Sequence, residues 1–234
     1  APLAGIMAAR FGDWKLVMLV FGTVSILSVL WLGSVKIEEE KGNGQTATMG
    51  SAFRLLGNGF ILSMVLSIFL VVGIDVGINS TSGQFLLNKL HMEQGLAESG
   101  RSIYFFGKML GTLAGAILLT MLASRKFLLW TSALTLVGIV ALIFNPIQVA
   151  ALVLIFLIGL FAANIFPLVF SITVAKYPDR SNEISGLMIM AVSGGAFIPP
   201  LIGALTDAAG ITAGMMILVI CSVYILVASV LVRK

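Results

Sequence analysis

The sequence predicts an all-α protein, a polytopic bundle of helices that cross a membrane. Three observations carry that reading. Hydrophobic residues make up 59% of the chain and charged residues only 10%, against about 25% charge in a soluble domain. Mean hydropathy is +1.10. The apolar residues gather into seven runs, each near the ~20 residues that a bilayer crossing requires, with short polar segments between them. A surface this poor in charge has to meet lipid or other helices rather than water.

In chain order, an apolar stub at 1–9 precedes runs at 14–33, 60–86, 99–123, 127–144, 147–175, 184–206 and 211–232. The longest polar interval, 34–58, contains Lys36-Ile37-Glu38-Glu39-Glu40-Lys41-Gly42-Asn43-Gly44 and reads as a flexible linker. It divides the chain into 1–33, a stub plus one helix, and 59–234, a six-helix transmembrane domain. The chain opens on Ala1-Pro2-Leu3 without a Met, and the expectation is that it begins inside a helix of a longer protein.

Several function classes have no support in the residues. The net charge is +4, but Lys and Arg stand singly or in pairs between apolar runs, so no nucleic-acid-binding surface is indicated. Cys221 is the only cysteine and His91 the only histidine, which leaves no disulfide and no metal cluster to expect. No phosphate-binding loop, HExxH or nucleophile elbow occurs. The expectation is a protein that is not an enzyme and carries no cofactor.

Orientation follows from the cations of the connecting segments. With the linker on the cytoplasmic side, Lys36, Lys41, Arg54, Arg125, Lys126, Lys176, Arg180, Arg233 and Lys234 are inside, against Arg10, Lys15, Lys89 and Arg101 outside. The C-terminus is then cytoplasmic. Trp14, Trp31 and Trp130 all fall near run ends, where interfacial aromatic anchors are common.

A repeat supports the count. Pro2-Leu3-Ala4-Gly5 followed by Gly12 matches Pro200-Leu201-Ile202-Gly203 followed by Gly210, six helices further on. Two similar six-helix halves in parallel are a transporter plan, which would place this chain from the end of helix five to helix twelve. Within the six-helix part, the 99–123 run carries Gly107, Gly111 and Gly115, and the 184–206 run carries Gly186, Gly194, Gly195 and Gly203 with Pro199-Pro200. Small residues at this spacing let helices approach closely, and paired prolines favour a break. Tight packing and gating both fit Gly107, Gly111, Gly115, Gly194, Gly195, Pro199 and Pro200.

Polar residues inside the spans are the candidates for function. Asp75 and Lys108 each cost about 2.5–3.5 kcal/mol at a bilayer centre if left alone. They sit at similar depth, roughly 14 Å from the outer ends of adjacent antiparallel runs at ~1.5 Å per residue, so they are expected to pair. The pair would serve either substrate contact and gating or helix packing alone. Ser63, Ser67, Val71, Asp75, Asn79 and Ser82 recur at helical spacing, a stripe expected to face a water-filled cavity. Tyr104 shares a face with Lys108. Asn164 stands mid-span beside Phe166, where it either lines a cavity or bonds a neighbouring helix. Asp75, Asn79, Ser82, Tyr104, Lys108, Asn164, Phe166 and Phe197 are the candidate lining of a substrate cavity, with the polar groups and aromatic platform for half of a small-molecule pocket.

Three segments resemble the C-terminal half of the major facilitator superfamily, and within it the fucose, glucose and galactose permease branch. They are Gly73-Ile74-Asp75-Val76-Gly77-Ile78-Asn79, Gly107-Lys108-Met109-Leu110-Gly111, and Asn164-Ile165-Phe166-Pro167 together with Gly194-Gly195-Ala196-Phe197-Ile198-Pro199-Pro200. Members often have Glu at the position of Asp75 and Arg at that of Lys108; both departures keep the charge. The basic motif that usually follows helix eight survives only as Ser124-Arg125-Lys126. The resemblance implies a secondary active transporter working by alternating access in a bacterial inner membrane, with sugar uptake coupled to protons whose acceptors lie in a missing N-terminal half. An exporter, a carrier of another small solute, or a scaffold of the same fold without flux are the competing readings.

Overall fold

The computed structural model describes residues 14–34 and 49–233. Residues 1–45 and 46–234 form two compact units. In the first, α1 (Trp14–Ser34) is an uninterrupted helix with open apolar side chains such as Leu27 and Trp31. The stub and the Pro2–Gly12 repeat segment lie outside the described residues. The repeat's second copy is a helix end closed by Gly210, whose φ of +87° suits only glycine well.

The second unit contains α2 (Met49–Leu55), α3 (Gly59–Leu90), α4 (Gln94–Leu118), α5 (Ser124–Phe144), α6 (Gln148–Ala162), α7 (Ile165–Lys176), α8 (Ser181–Met190), α9 (Gly194–Ala209) and α10 (Ile211–Arg233). No strand occurs among the described residues. Helix α3 is the hub and touches α4, α6, α7, α8, α9 and α10. That position accounts for its apolar residues on every side, from Ile61 and Ile68 to Ile78 and Phe85, all buried. Asn58 starts α3 by accepting hydrogen bonds from the amides of Phe60 and Ile61, at 3.0 and 3.4 Å.

Three sequence expectations shift. The linker was expected to run to residue 58, yet Met49–Leu55 is a helix packed on α8. Ser51 hydrogen-bonds Glu183 there, and Glu183 also pairs with Arg180. Among the described residues, six stretches are long and apolar enough to cross a membrane, where seven were expected. Helix α4 has the length, at 25 residues, but Glu98, Arg101, Lys108 and its glycines dilute its apolar content. Finally, α9 runs unbroken through Pro199 and Pro200, and the irregular turn is the 3₁₀ segment Ala191–Ser193 ahead of it. A proline disturbs the carbonyl four residues before it; for Pro199 and Pro200 these are Gly195 and Ala196 in the first turn of α9, next to the 3₁₀ segment. Pro167 acts likewise: it leaves the Ala163 carbonyl without its usual donor, and the 147–175 run splits there into α6 and α7.

The connection from α3 to α4 lies at the opposite end of α3 from α2, as the alternation of spans requires.

Candidate functional site

The site begins with the register of α3 against α4. Asp75 stands sixteen residues into the 32-residue α3, and Lys108 fourteen residues into α4. Antiparallel packing brings two such midpoints level, about 22 Å from the α3–α4 connection at ~1.5 Å per residue. This is deeper than the sequence placed them, because α3 continues to Leu90. The Lys108 ammonium donates to Asp75 Oδ2, forming a direct ion pair. The Tyr104 hydroxyl, fully buried one turn away on α4, donates to Asp75 Oδ1. Both carboxylate oxygens are thus held by donors from one helix. The Asp75 and Lys108 side chains remain 18% and 29% exposed, so the pair is only partly enclosed.

One turn along α3, Asn79 presents its backbone carbonyl to Arg101 Nε at 3.0 Å, while its own Oδ1 is buried without a partner. Arg101 had been counted only as a cation of the outer connection. Its spacing to Tyr104 and Lys108, three and seven residues, was the available signal.

The other expected site residues are placed elsewhere. Ser82 is fully buried, beside Gly100 where α3 meets α4, so it does not face a cavity. Ser67 is also buried and donates to the Ser63 carbonyl at 2.8 Å, and Ser63 Oγ accepts from Tyr224 on α10 at 3.4 Å. The polar stripe of α3 therefore opens only around Asp75 and Asn79. Asn164, 4% exposed, donates from Nδ2 to the Gly111 carbonyl at 2.7 Å. It bonds a neighbouring helix, the second of the two readings. Phe166 is half-buried and stacks on Phe170; Phe197 is exposed and lies 6.0 Å from the ring of Phe69. The structure does not bring these aromatics to the ion pair.

The glycines resolve into contacts within this one bundle. A Cβ on Gly107 or Gly111 would fall on the Phe156 or Leu160 carbonyl of α6, and one on Gly115 would strike the Asn164 amide. From the other side, a Cβ on Gly159 would fall on the Tyr104 carbonyl. A Cβ on Gly194 would meet the Phe69 carbonyl of α3. One on Gly195 would press on Val76 and Val72 at 3.0 and 3.2 Å, so this glycine also packs against α3. Gly203 has open space around it.

With that geometry in place, the likenesses to known proteins can be weighed. The family model described as Major Facilitator Superfamily matches residues 64–234. A glucose/galactose transporter of Brucella abortus (biovar 1, strain 9-941) is 30% identical over 229 residues, covering 93% of this chain and 52% of that protein. A putative glucose/galactose transporter of Helicobacter pylori (strain ATCC 700392 / 26695) is 31% identical over 144 residues, covering 61% of this chain and 35% of that protein. Among solved structures, FucP, a transporter of the same superfamily, in its outward conformation superposes with a TM-score of 0.80 over 92% of this chain and 54% of FucP, at 18% identity. That likeness concerns the fold alone. The chain spans at most about half the length of the relatives it matches.

Proposed function

The chain belongs to the Major Facilitator Superfamily, and from that premise we propose that it is the C-terminal part of a sugar transporter. In this reading residues 1–33 complete the N-terminal half, 34–58, which include the helix Met49–Leu55, link the halves on the cytoplasmic side, and 59–234 form the C-terminal half of the translocation path. Its place is a bacterial inner membrane, with the C-terminus cytoplasmic. The relatives named for glucose and galactose point to a hexose as the substrate.

The observation that carries the proposal is the Asp75–Tyr104–Lys108 cluster at mid-span, in which the Asp75 and Lys108 side chains stay partly exposed. Bound this way, the three groups neutralise each other and tolerate a low-dielectric setting. A sugar hydroxyl reaching them can donate to Asp75 in place of Tyr104, or accept from Lys108 in place of Asp75. Such exchanges let a neutral polyol bind without a net change of buried charge. Proton coupling is assigned, as the family resemblance implies, to carboxylates of the N-terminal half.

The test is uptake of labelled glucose, galactose and fucose by cells expressing the whole gene product that contains this chain, with and without a protonophore. The proposal expects uptake of at least one, collapsed by the protonophore, and lost in Asp75→Asn. Uptake of no hexose above empty cells would defeat it.

A further inference from the structure

Toward the α3–α4 connection, beyond the ion pair, a cavity of about 370 Å³ is lined by Gly83, Glu98, Arg101 and Ser102. We infer that this cavity is a second sugar subsite, an outer vestibule that captures the substrate before it reaches Asp75 and Lys108. The inference rests on the sugar-transport reading above and adds a place and a recognition chemistry to it.

The helical register puts the two sites on one track. Asp75, Asn79 and Gly83 are successive turns of one face of α3; Lys108, Tyr104, Arg101 and Glu98 are successive turns of the facing side of α4. Arg101 joins the levels by donating Nε to the Asn79 carbonyl at 3.0 Å. That contact fixes the guanidinium and leaves its two terminal nitrogens directed to other acceptors. Glu98 Oε1 accepts from Gln94 Nε2 at 3.0 Å, which steadies the carboxylate and leaves Oε2 available. A guanidinium beside a carboxylate is suited to a vicinal diol: one hydroxyl accepts from Arg101 while its neighbour donates to Glu98. Ser102 adds a group that does either. Between this level and the ion pair lies Asn79, whose Oδ1 is buried without a partner. Gly83 contributes the α3 side of the lining. The volume lies within the roughly 300–1,000 Å³ of small-molecule pockets.

A vestibular subsite has a kinetic signature that a packing role lacks. Its loss slows capture from one side only. The experiment uses the whole gene product in right-side-out and inside-out vesicles, with the transported hexose as probe and Glu98→Gln, Arg101→Gln and Arg101→Lys as variants. The expected result is a KM for entry from the outer side raised about tenfold or more in the two Gln variants, with kcat within about twofold. KM measured from the inner side stays at the wild-type value, and Arg101→Lys recovers part of the outer effect. Glu98→Gln does not touch the Arg101–Asn79 contact, so it remains informative if Arg101→Gln fails to fold. A wild type that transports while Glu98→Gln keeps its outer KM overturns the vestibule and spares the transport reading. A rise of KM equal on both sides also overturns it. A wild type that moves no hexose removes the premise and the vestibule together.

Discussion

Helix α4 presents two faces that solve opposite problems. Toward α6 it is a seam of Gly107 and Gly111, where the main chains touch and no methyl group fits, continued by Gly115 under the Asn164 amide. Toward α3 it carries Arg101, Tyr104 and Lys108, long polar side chains in a partly open groove. Gly107 and Lys108 are adjacent in sequence and about 100° apart around the axis, at 3.6 residues per turn. The seam has backbone on both sides and cannot yield. The polar face has side chains on both sides and can exchange partners. In the proposed transporter, a rigid seam behind this face would hold Lys108 in position while its contacts change, as a binding site on a moving bundle needs.

The comparison breaks hardest at the seam. Gly111→Leu should abolish accumulation of folded protein, because the added side chain begins on the Leu160 carbonyl and forces α4 off α6 along its length, beyond the ~1–3 kcal/mol of ordinary overpacking. Gly203→Ala, with open space at its Cβ, should be neutral or slightly stabilising, since alanine favours a helix by about 1 kcal/mol over glycine. Fluorescence-detected size exclusion of the solubilised protein reads both. A folded Gly111→Leu would show that the seam can slide.

Next comes the ion pair. Asp75→Asn leaves the Lys108 ammonium without its carboxylate, and removing one member of a buried pair costs about 3–5 kcal/mol, less here in proportion to its exposure. Adding Lys108→Met should restore much of the melting temperature but none of the uptake. Recovery of both would make the pair a packing device. Tyr104→Phe is milder: it deletes one hydrogen bond to a charged acceptor, about 1.5–3 kcal/mol, and keeps the ion pair. It should fold, with a lower melting temperature and a weaker apparent affinity in uptake; wild-type values in both would mean the hydroxyl does not hold Asp75 in place.

The two faces were unequally legible in the sequence. Two opposite charges at matching depth in apolar runs have few ways to be satisfied, so the Asp75–Lys108 pair could be anticipated before any coordinates. The glycine ladder was equally visible, but its partner was not, because composition does not say which of six helices lies against it. The Tyr104 bond to Asp75 and the Arg101 reach to Asn79 depend on rotation of α4, which a stripe of residues constrains only to about a third of a turn. Ser82 shows the limit: it shares a spacing pattern with Asp75 and Asn79 yet is turned into the α3–α4 contact beside Gly100. The break ahead of Pro167 was signalled by that proline alone, within a run otherwise apolar enough to read as one helix.

The smallest expected effect lies where the two faces meet the break. Asn164 follows the last turn of α6, and its side chain does two things: it fills the hollow over Gly115, and it donates to the Gly111 carbonyl at 2.7 Å. The carbonyl does not depend on it, since within α4 it already accepts from the amide four residues on. Interhelical hydrogen bonds of this kind average about 0.6 kcal/mol in membranes. Asn164→Ala therefore loses that bond and opens a small void over Gly115, while Asn164→Leu fills the void but places branched carbon against an α4 backbone that leaves room for a planar amide. Asn164→Ala should lower the melting temperature slightly and leave hexose KM and kcat near wild type, because the side chain faces the seam and not the ion pair. Asn164→Leu should be the worse of the two in stability. If Asn164→Ala instead raises KM as strongly as Tyr104→Phe, then Asn164 reaches the substrate, and the seam is part of the binding site.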